Sequence, residues 1–276
     1  MQTFLPYADF ERSAHALDSP RLGKQRVEVL QILRALTFPS YGWTNHPATV
    51  MWRGRVPALA AYGLAMVDQW TERGAADSTR AQITEFAPEA ATNRAGVAMP
   101  TWLGNEALHR SHQSNLIRKD PGFYGPQFPE VPGDIEYVWP GADTGLPARP
   151  ILVGSPLMIF RPKDEAQLEN WLDAREVSLG EASPTGRQGP KWVAQLTLFE
   201  SLPNGTRIAV LGRGGEWLRV GEIVGDMWAD VHEGTNPSEI YIRPVRFDEE
   251  LPRSAFPYPA LLQDPRSLFE TTGPEL

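Results

Sequence analysis

The chain of 276 residues contains no cysteine. That removes disulfides, thiolate nucleophiles, zinc ribbons and iron–sulfur clusters together, and it is compatible with a reducing compartment. Histidine is scarce as well, at five. His109 and His112 share one helix face at the spacing metal ligands need, yet no third and fourth ligand is evident among His15, His46 and His232. Neither a metal nor a cofactor is therefore expected. No apolar run approaches the ~20 residues that span a bilayer, and no charged region followed by an apolar one opens the chain. The expectation is a cytoplasmic protein with no membrane partner. A broad basic excess is missing too, since the net charge is −8, which argues against a generally basic nucleic-acid binder.

What is present is unevenly placed. Residues 1–149 carry 14 Lys/Arg against 15 Asp/Glu, while residues 150–276 carry 12 against 19. Two basic stretches survive in the nearly neutral half. Residues 21–34 hold four cations and one acid, and residues 109–119 hold three cations and no acid. A local basic cleft is enough for nucleic-acid contact.

The first half reads as helical. Residues 9–17 suit two turns, and residues 48–73 suit a long helix that Pro57 and Gly63 should kink or break. Residues 81–91 read as a weaker helix, and residues 100–119 as another that Asp120-Pro121 ends. Residues 121–150 are proline-rich and irregular, the end of one domain and a linker. Beyond them the period shortens. Residues 151–153, 157–160, 191–199, 206–211, 217–224 and 239–245 read as strands, residues 165–174 as a helix, and residues 178–189 as a polar loop. Gly212-x-Gly214-Gly215 lies between two strands and reads as a hairpin turn rather than a dinucleotide fingerprint. The fold class expected is α+β in two domains, 1–148 all-helical and 149–276 mostly β, with a small barrel as the natural closure.

The stretch 18–36 organises the first half. Asp18 or Ser19 can cap it, and Pro20 suits its first turn. Leu22, Val29, Leu33 and Leu36 fall on one side, while Arg21, Lys24, Glu28 and Gln31 form a second stripe with Gln25 beside it. That stripe is either a solvated face or an active-site wall. Gly23 weakens the helix by roughly 1 kcal/mol relative to alanine, which suggests close approach by a backbone or a ligand. His46, preceded by Asn45 and followed by Trp52-Arg53, sits at a helix entrance, where it caps the helix or donates to a phosphate. Residues 109–115 hold nothing apolar, a composition that suits a surface helix or phosphate contacts, and Phe123-Tyr124 adds aromatics able to stack on bases.

Three blocks in this order resemble the pyrimidine-dimer DNA glycosylase (phage endonuclease V) family, and more closely a bacterial branch assigned to it. They are the helix through Arg21, Arg26 and Val27; His46 with Met51-Trp52-Arg53 and Glu72-Arg73-Gly74; and His112 with Asn115, Lys119-Asp120-Pro121 and Phe123-Tyr124-Gly125. The resemblance covers about half the chain. It implies an all-helical domain that binds duplex DNA and cleaves the glycosidic bond of a damaged base with an amine at the chain's start. The imine that results permits strand cleavage by β-elimination. The family's amine belongs to a small second residue. Here that residue is Gln2, whose bulk should block methionine removal, so the amine expected is that of Met1. The family's carboxylate aligns with Gly23, which leaves Glu28 as the carboxylate and either Met1 or Lys24 as the nucleophile, unless Lys24–Glu28 is a plain helix ion pair. The residues expected to bind DNA are Arg21, Gln25, Arg26, His46, Arg53, His109, Arg110, His112, Lys119 and Tyr124.

The second half is similar to PUA-like or EVE domains, which read modified bases on a small barrel. That likeness makes Trp192, Trp217 and Trp228 either a base-reading pocket or barrel core. The function expected is a DNA glycosylase, with or without AP lyase activity, acting on duplex DNA that carries a damaged or modified base. The alternatives are a non-catalytic DNA-binding or modified-base reader protein, and a nuclease or processing factor acting on modified phage DNA. Oligomeric state is open.

Overall fold

The structure, a computed structural model, describes residues 1–39, 41–180, 189–232 and 238–274. The chain divides into two compact units, Met1–Ile151 and Leu152–Leu276.

In the first unit an extended segment, residues 1–5, precedes α1 (Phe10–Ala16), whose first turn is capped by the Asp9 carboxylate. In α2 (Ser19–Thr37) the Asp18 carboxylate accepts the Arg21 N–H at 2.8 Å, and Pro20 sits in the first turn. The long helix expected over 48–73 is two, α3 (Pro47–Val50) and α4 (Val56–Glu72). The break falls at Gly54, whose φ of +75° turns the chain before Pro57 restarts it. Gly63 does not break α4. It lies where α2 crosses, and a Cβ there would sit 2.6 Å from Val29 Cγ1. The weak helix expected over 81–91 is likewise split, into α5 (Arg80–Phe86) and α6 (Pro88–Thr92), because Pro88 cannot continue α5. Then come α7 (Glu106–Lys119), capped by Asn105, and α8 (Pro121–Tyr124), capped by Asp120. One apolar cluster, with Leu5, Leu17, Leu22, Leu33, Trp52 and Tyr62 fully buried, joins the entering segment to α1, α2 and α4.

The second unit holds a seven-stranded mixed sheet flanked by two helices. In chain order its elements are β1 (Ser155–Phe160), α9 (Glu165–Ala174), β2 (Glu176–Leu179), α10 (Pro190–Ser201), β3 (Arg207–Leu211), β4 (Trp217–Ile223), β5 (Trp228–His232), β6 (Ser238–Pro252) and β7 (Leu268–Gly273). The strand order is β2-β6-β4-β3-β1-β7, with β5 paired to β6; β1 and β3 run parallel and the other pairs are antiparallel.

The small barrel is not what forms, because among the described residues the sheet path stays open, from β2 at one end to β7 at the other. A physical reason lies in the central strands. β1 and β3 read as continuous apolar runs, so both faces of the sheet must be covered. Phe160, Ile208 and Val210 pack on one face with Leu168 and Trp171 of α9 and Phe199 of α10. Ile159, Ala209 and Leu211 pack on the other with Phe256 and Leu262. A small barrel encloses only one face. Residues 191–199, expected as a strand, form most of α10 instead: Pro190 starts it, and the Leu196–Phe199 spacing serves a helical apolar face. Residues 151–153, also expected as a strand, are irregular.

Replacing Gly63 by alanine should lower unfolding stability by about 1–3 kcal/mol, even though alanine is the better helix former. Denaturant titration of wild type and variant measures this, and a stabilised variant would show that α2 and α4 do not meet at that position.

Candidate active site

The site grows from the way residues 1–6 thread through the first unit. Four side chains on two helices, α2 and α7, take up that segment's backbone groups. The Phe4 N–H donates to Gln25 Oε1 at 2.8 Å, and the Leu5 N–H donates to His112 Nδ1 at 3.1 Å. The Leu5 carbonyl lies 2.8 Å from His109 Nδ1, and the Pro6 carbonyl accepts from Gln113 Nε2 at 2.7 Å. Trp52 adds an indole N–H to Thr3 Oγ1 at 3.2 Å. The Met1 side chain packs on the same core, 3.6 Å from the Thr49 hydroxyl through its sulfur.

This path carries the α-amine of Met1 to 3.7 Å from Glu28 Oε1, with the side chains of both residues nearly buried. A buried carboxylate needs partners. Glu28 Oε2 accepts from Gln25 Nε2 at 2.9 Å, and Oε1 lies 3.5 Å from Lys24 Nζ. Lys24 itself is 73% exposed. The polar stripe of α2 is thus neither wholly solvated nor wholly a wall, since Lys24 faces water while Gln25 and Glu28 turn inward.

His46 caps α3 by accepting the Ala48 N–H on Nδ1 at 3.1 Å. Burial, and then the Met1 ammonium, hold its pKa below the ordinary value, while Glu28 pulls the other way. With Nδ1 occupied as an acceptor, the neutral ring presents Nε2–H as a donor. His46 contacts Trp43 and Trp139 edge-on, at 5.6 and 6.1 Å between ring centres. Trp139 belongs to residues 135–139, which α7 holds through its small polar side chains. Ser114 Oγ accepts the Ile135 N–H at 3.0 Å, Ser111 Oγ accepts the Val138 N–H at 3.1 Å, and Asn115 Nδ2 donates to the Ile135 carbonyl at 3.2 Å. Tyr137 lies between Trp139 and His112, and burial pushes its hydroxyl up to about 12. Tyr137 and Trp139 were missed in the sequence because proline and glycine around them read as a linker.

Several expected DNA contacts serve the fold instead. Gln25, His109 and His112 are buried and spend polar atoms on residues 2–5. Tyr124 is buried with its hydroxyl accepting the Asp18 N–H at 3.0 Å, so its ring is not free to stack on bases. Arg26 pairs with Asp77 and lies 4.3 Å over the Trp70 ring, and Arg21 pairs with Asp18. Arg53 donates to the Thr44 carbonyl and Asn45 Oδ1, both at 2.9 Å, and so pins the loop before His46. Lys119 is exposed, and Arg110 reaches the Glu130 carbonyl at 3.4 Å. Gly23 is explained by packing, because a Cβ there would meet the Trp70 ring at 2.9 Å.

In the second unit the three tryptophans do not line one pocket. Trp217 pairs with Pro252 and Trp228 with Ile242, ten residues apart on β6, which is roughly 30 Å of strand. Trp192 packs against Tyr241, the neighbour of Ile242 that points to the opposite face from Trp228. Among the described residues, no group of three or more His, Asp or Glu is placed to hold a metal, and no helix is long and apolar enough to cross a membrane.

Burial drives the pKa of His112 down to about 3, with His109 adding to the shift. Between that value and the ordinary histidine value near 6.5, the unfolded chain binds the proton that the native one refuses. Stability should therefore be full above pH 6.5 and fall as pH drops toward 3, with a slope of about 1.4 kcal/mol per pH unit from this residue alone. Chemical denaturation of wild type and His112→Gln across pH 4.5–7 tests this. The variant should lose that part of the slope, and identical slopes would contradict it.

No curated protein and no solved structure matches the chain. Residues 1–83, which hold the Met1 amine, Glu28, His46 and Arg53, match the family model described as pyrimidine dimer DNA glycosylase.

Proposed function

We propose that the first unit is a DNA glycosylase with AP lyase activity, using the Met1 α-amine as nucleophile and Glu28 as its carboxylate partner. The observation that carries this reading is the 3.7 Å approach of that amine to a buried carboxylate, fixed by Gln25. The family match over residues 1–83 supports it. The neutral amine attacks C1′ of the damaged nucleotide, the base departs with the electrons of the glycosidic bond, and Glu28 takes the proton released from nitrogen. Opening of the sugar ring gives an imine. Loss of a C2′ proton then expels the 3′-phosphate oxygen, and water releases the protein.

Of the two amines near Glu28, the Met1 amine is favoured. Lys24 is a solvated side chain, whereas the Met1 amine ends a segment that Gln25, His109 and His112 fix in place. The substrate proposed is duplex DNA with a damaged or modified base, and the exposed Lys119 and Lys24 are proposed to meet its phosphates.

Borohydride trapping on duplex DNA with an abasic site tests the reading. Wild type should form a covalent adduct, and Lys24→Ala should retain it. Glu28→Gln keeps an acceptor for Gln25 and should fold, but should trap at least about 100-fold more slowly. An unchanged rate in Glu28→Gln, or loss of the adduct in Lys24→Ala, would overturn the assignment.

A further inference from the structure

We infer that Trp43 is a stacking residue for duplex DNA, taking on its open face a nucleobase next to the nucleotide that reacts at Met1. The inference rests on the reading of the first unit given above. It adds to that reading a residue outside the amine, the carboxylate and the cations.

Four observations carry it. Trp43 has φ +69°, and only one other non-glycine residue among those described, Arg175, has a positive φ. L-residues adopt this left-handed conformation at a cost, and Asn or Asp offset it with a short polar side chain that tryptophan lacks. Glycine would adopt it freely and stands next door at Gly42, yet the chain places an indole there. That indole is not tucked in, being 61% exposed, the most of any described tryptophan. One side of the ring meets His46, 5.6 Å between centres at 71°; the His46 carbonyl accepts the Thr49 N–H at 2.8 Å, and the Thr49 hydroxyl lies 3.6 Å from the Met1 sulfur. The ring therefore stands at the mouth of the amine site. Finally, the loop is pinned: the His46 N–H donates to the Trp43 carbonyl at 3.0 Å, and Arg53 holds Thr44 and Asn45. The backbone that carries the indole is thereby held in place, which lowers the cost of presenting the ring to a flat partner.

The loop's hydrogen bonds hold the strained backbone, whereas the cost of the exposed indole is recovered when something covers the ring. The chemistry of the site selects the occupant. C1′ of a nucleotide has to reach the Met1 nitrogen, which brings the neighbouring bases to the rim. An indole offers them a π-face of matching size whatever their sequence. A base displaced from its stack to expose C1′ leaves such a face open.

Trp43→Gly separates this role from a structural one, because glycine relieves the φ strain while removing the ring. The probe is a duplex with a tetrahydrofuran abasic analogue, which has no aldehyde and forms no imine, with 2-aminopurine as the adjacent base. Wild type should bind it and quench the 2-aminopurine. Trp43→Gly should bind about tenfold or more weakly and leave the fluorescence unquenched, with a melting temperature equal to or above wild type. Trp43→Phe should fall between the two. Undiminished affinity in Trp43→Gly, or an affinity loss matched by a lower melting temperature, would overturn the inference. If wild type fails to trap on a natural abasic site but binds the analogue through Trp43, the imine reading falls and stacking stands. If wild type traps and Trp43→Gly binds as tightly, stacking falls alone.

Discussion

The buried amide of Gln25 is the interaction on which the first unit depends. Its oxygen accepts from the Phe4 N–H and meets the Tyr62 hydroxyl at 2.6 Å, while its nitrogen donates to the Gln2 carbonyl at 3.1 Å and to Glu28 Oε2 at 2.9 Å. A side-chain amide can make four hydrogen bonds, and here every one is used. Two of them hold the backbone of the first residues, one holds α4 through Tyr62, and one orients the carboxylate. The same residue therefore keeps an extended segment inside a helical core and aims Glu28 at the amine that segment carries. Unpaired polar groups buried at such a place would cost about 1–3 kcal/mol each, so position and chemistry are secured together.

Gly23 and Glu28 exchange meanings once α2 is seen against its neighbours. Gly23 gives α4 room, through the Trp70 ring, on the side of α2 away from the amine. A carboxylate there would have to displace that ring. Glu28 lies one turn past Gln25 and Lys24 and faces inward, so a carboxylate stands near the Met1 amine from a different position on the same helix.

Much of the first unit was legible in residues 1–124. The Asp18 cap, Pro20 and the 3.6-residue spacing of Leu22, Val29, Leu33 and Leu36 specify α2, because caps and apolar period are local signals. The pairing of Met1 with Glu28 was open as one alternative, since helical spacing shows a shared stripe but not what a distant segment lays against it. Buried polar residues were the least legible. Ser111, His112, Ser114 and Asn115 look like a solvated or phosphate-binding face, and their partners are backbone groups at 5 and 135–138 that no local pattern reveals. In the second unit the alternation at 191–199 favoured a strand, and Pro190 was the overlooked helix start. The apolar runs of β1 and β3 already implied a sheet covered on both faces, which a small barrel does not provide.

The central claim is that the Met1 α-nitrogen, brought to 3.7 Å from Glu28 by the threaded first segment, is the nitrogen that reacts. Peptide mapping by mass spectrometry of the borohydride-reduced protein–DNA adduct tests it directly. The account predicts the modification on the α-nitrogen of Met1, within the peptide that ends at Arg12. A modification on Lys24, or on any lysine elsewhere in the chain, would contradict it.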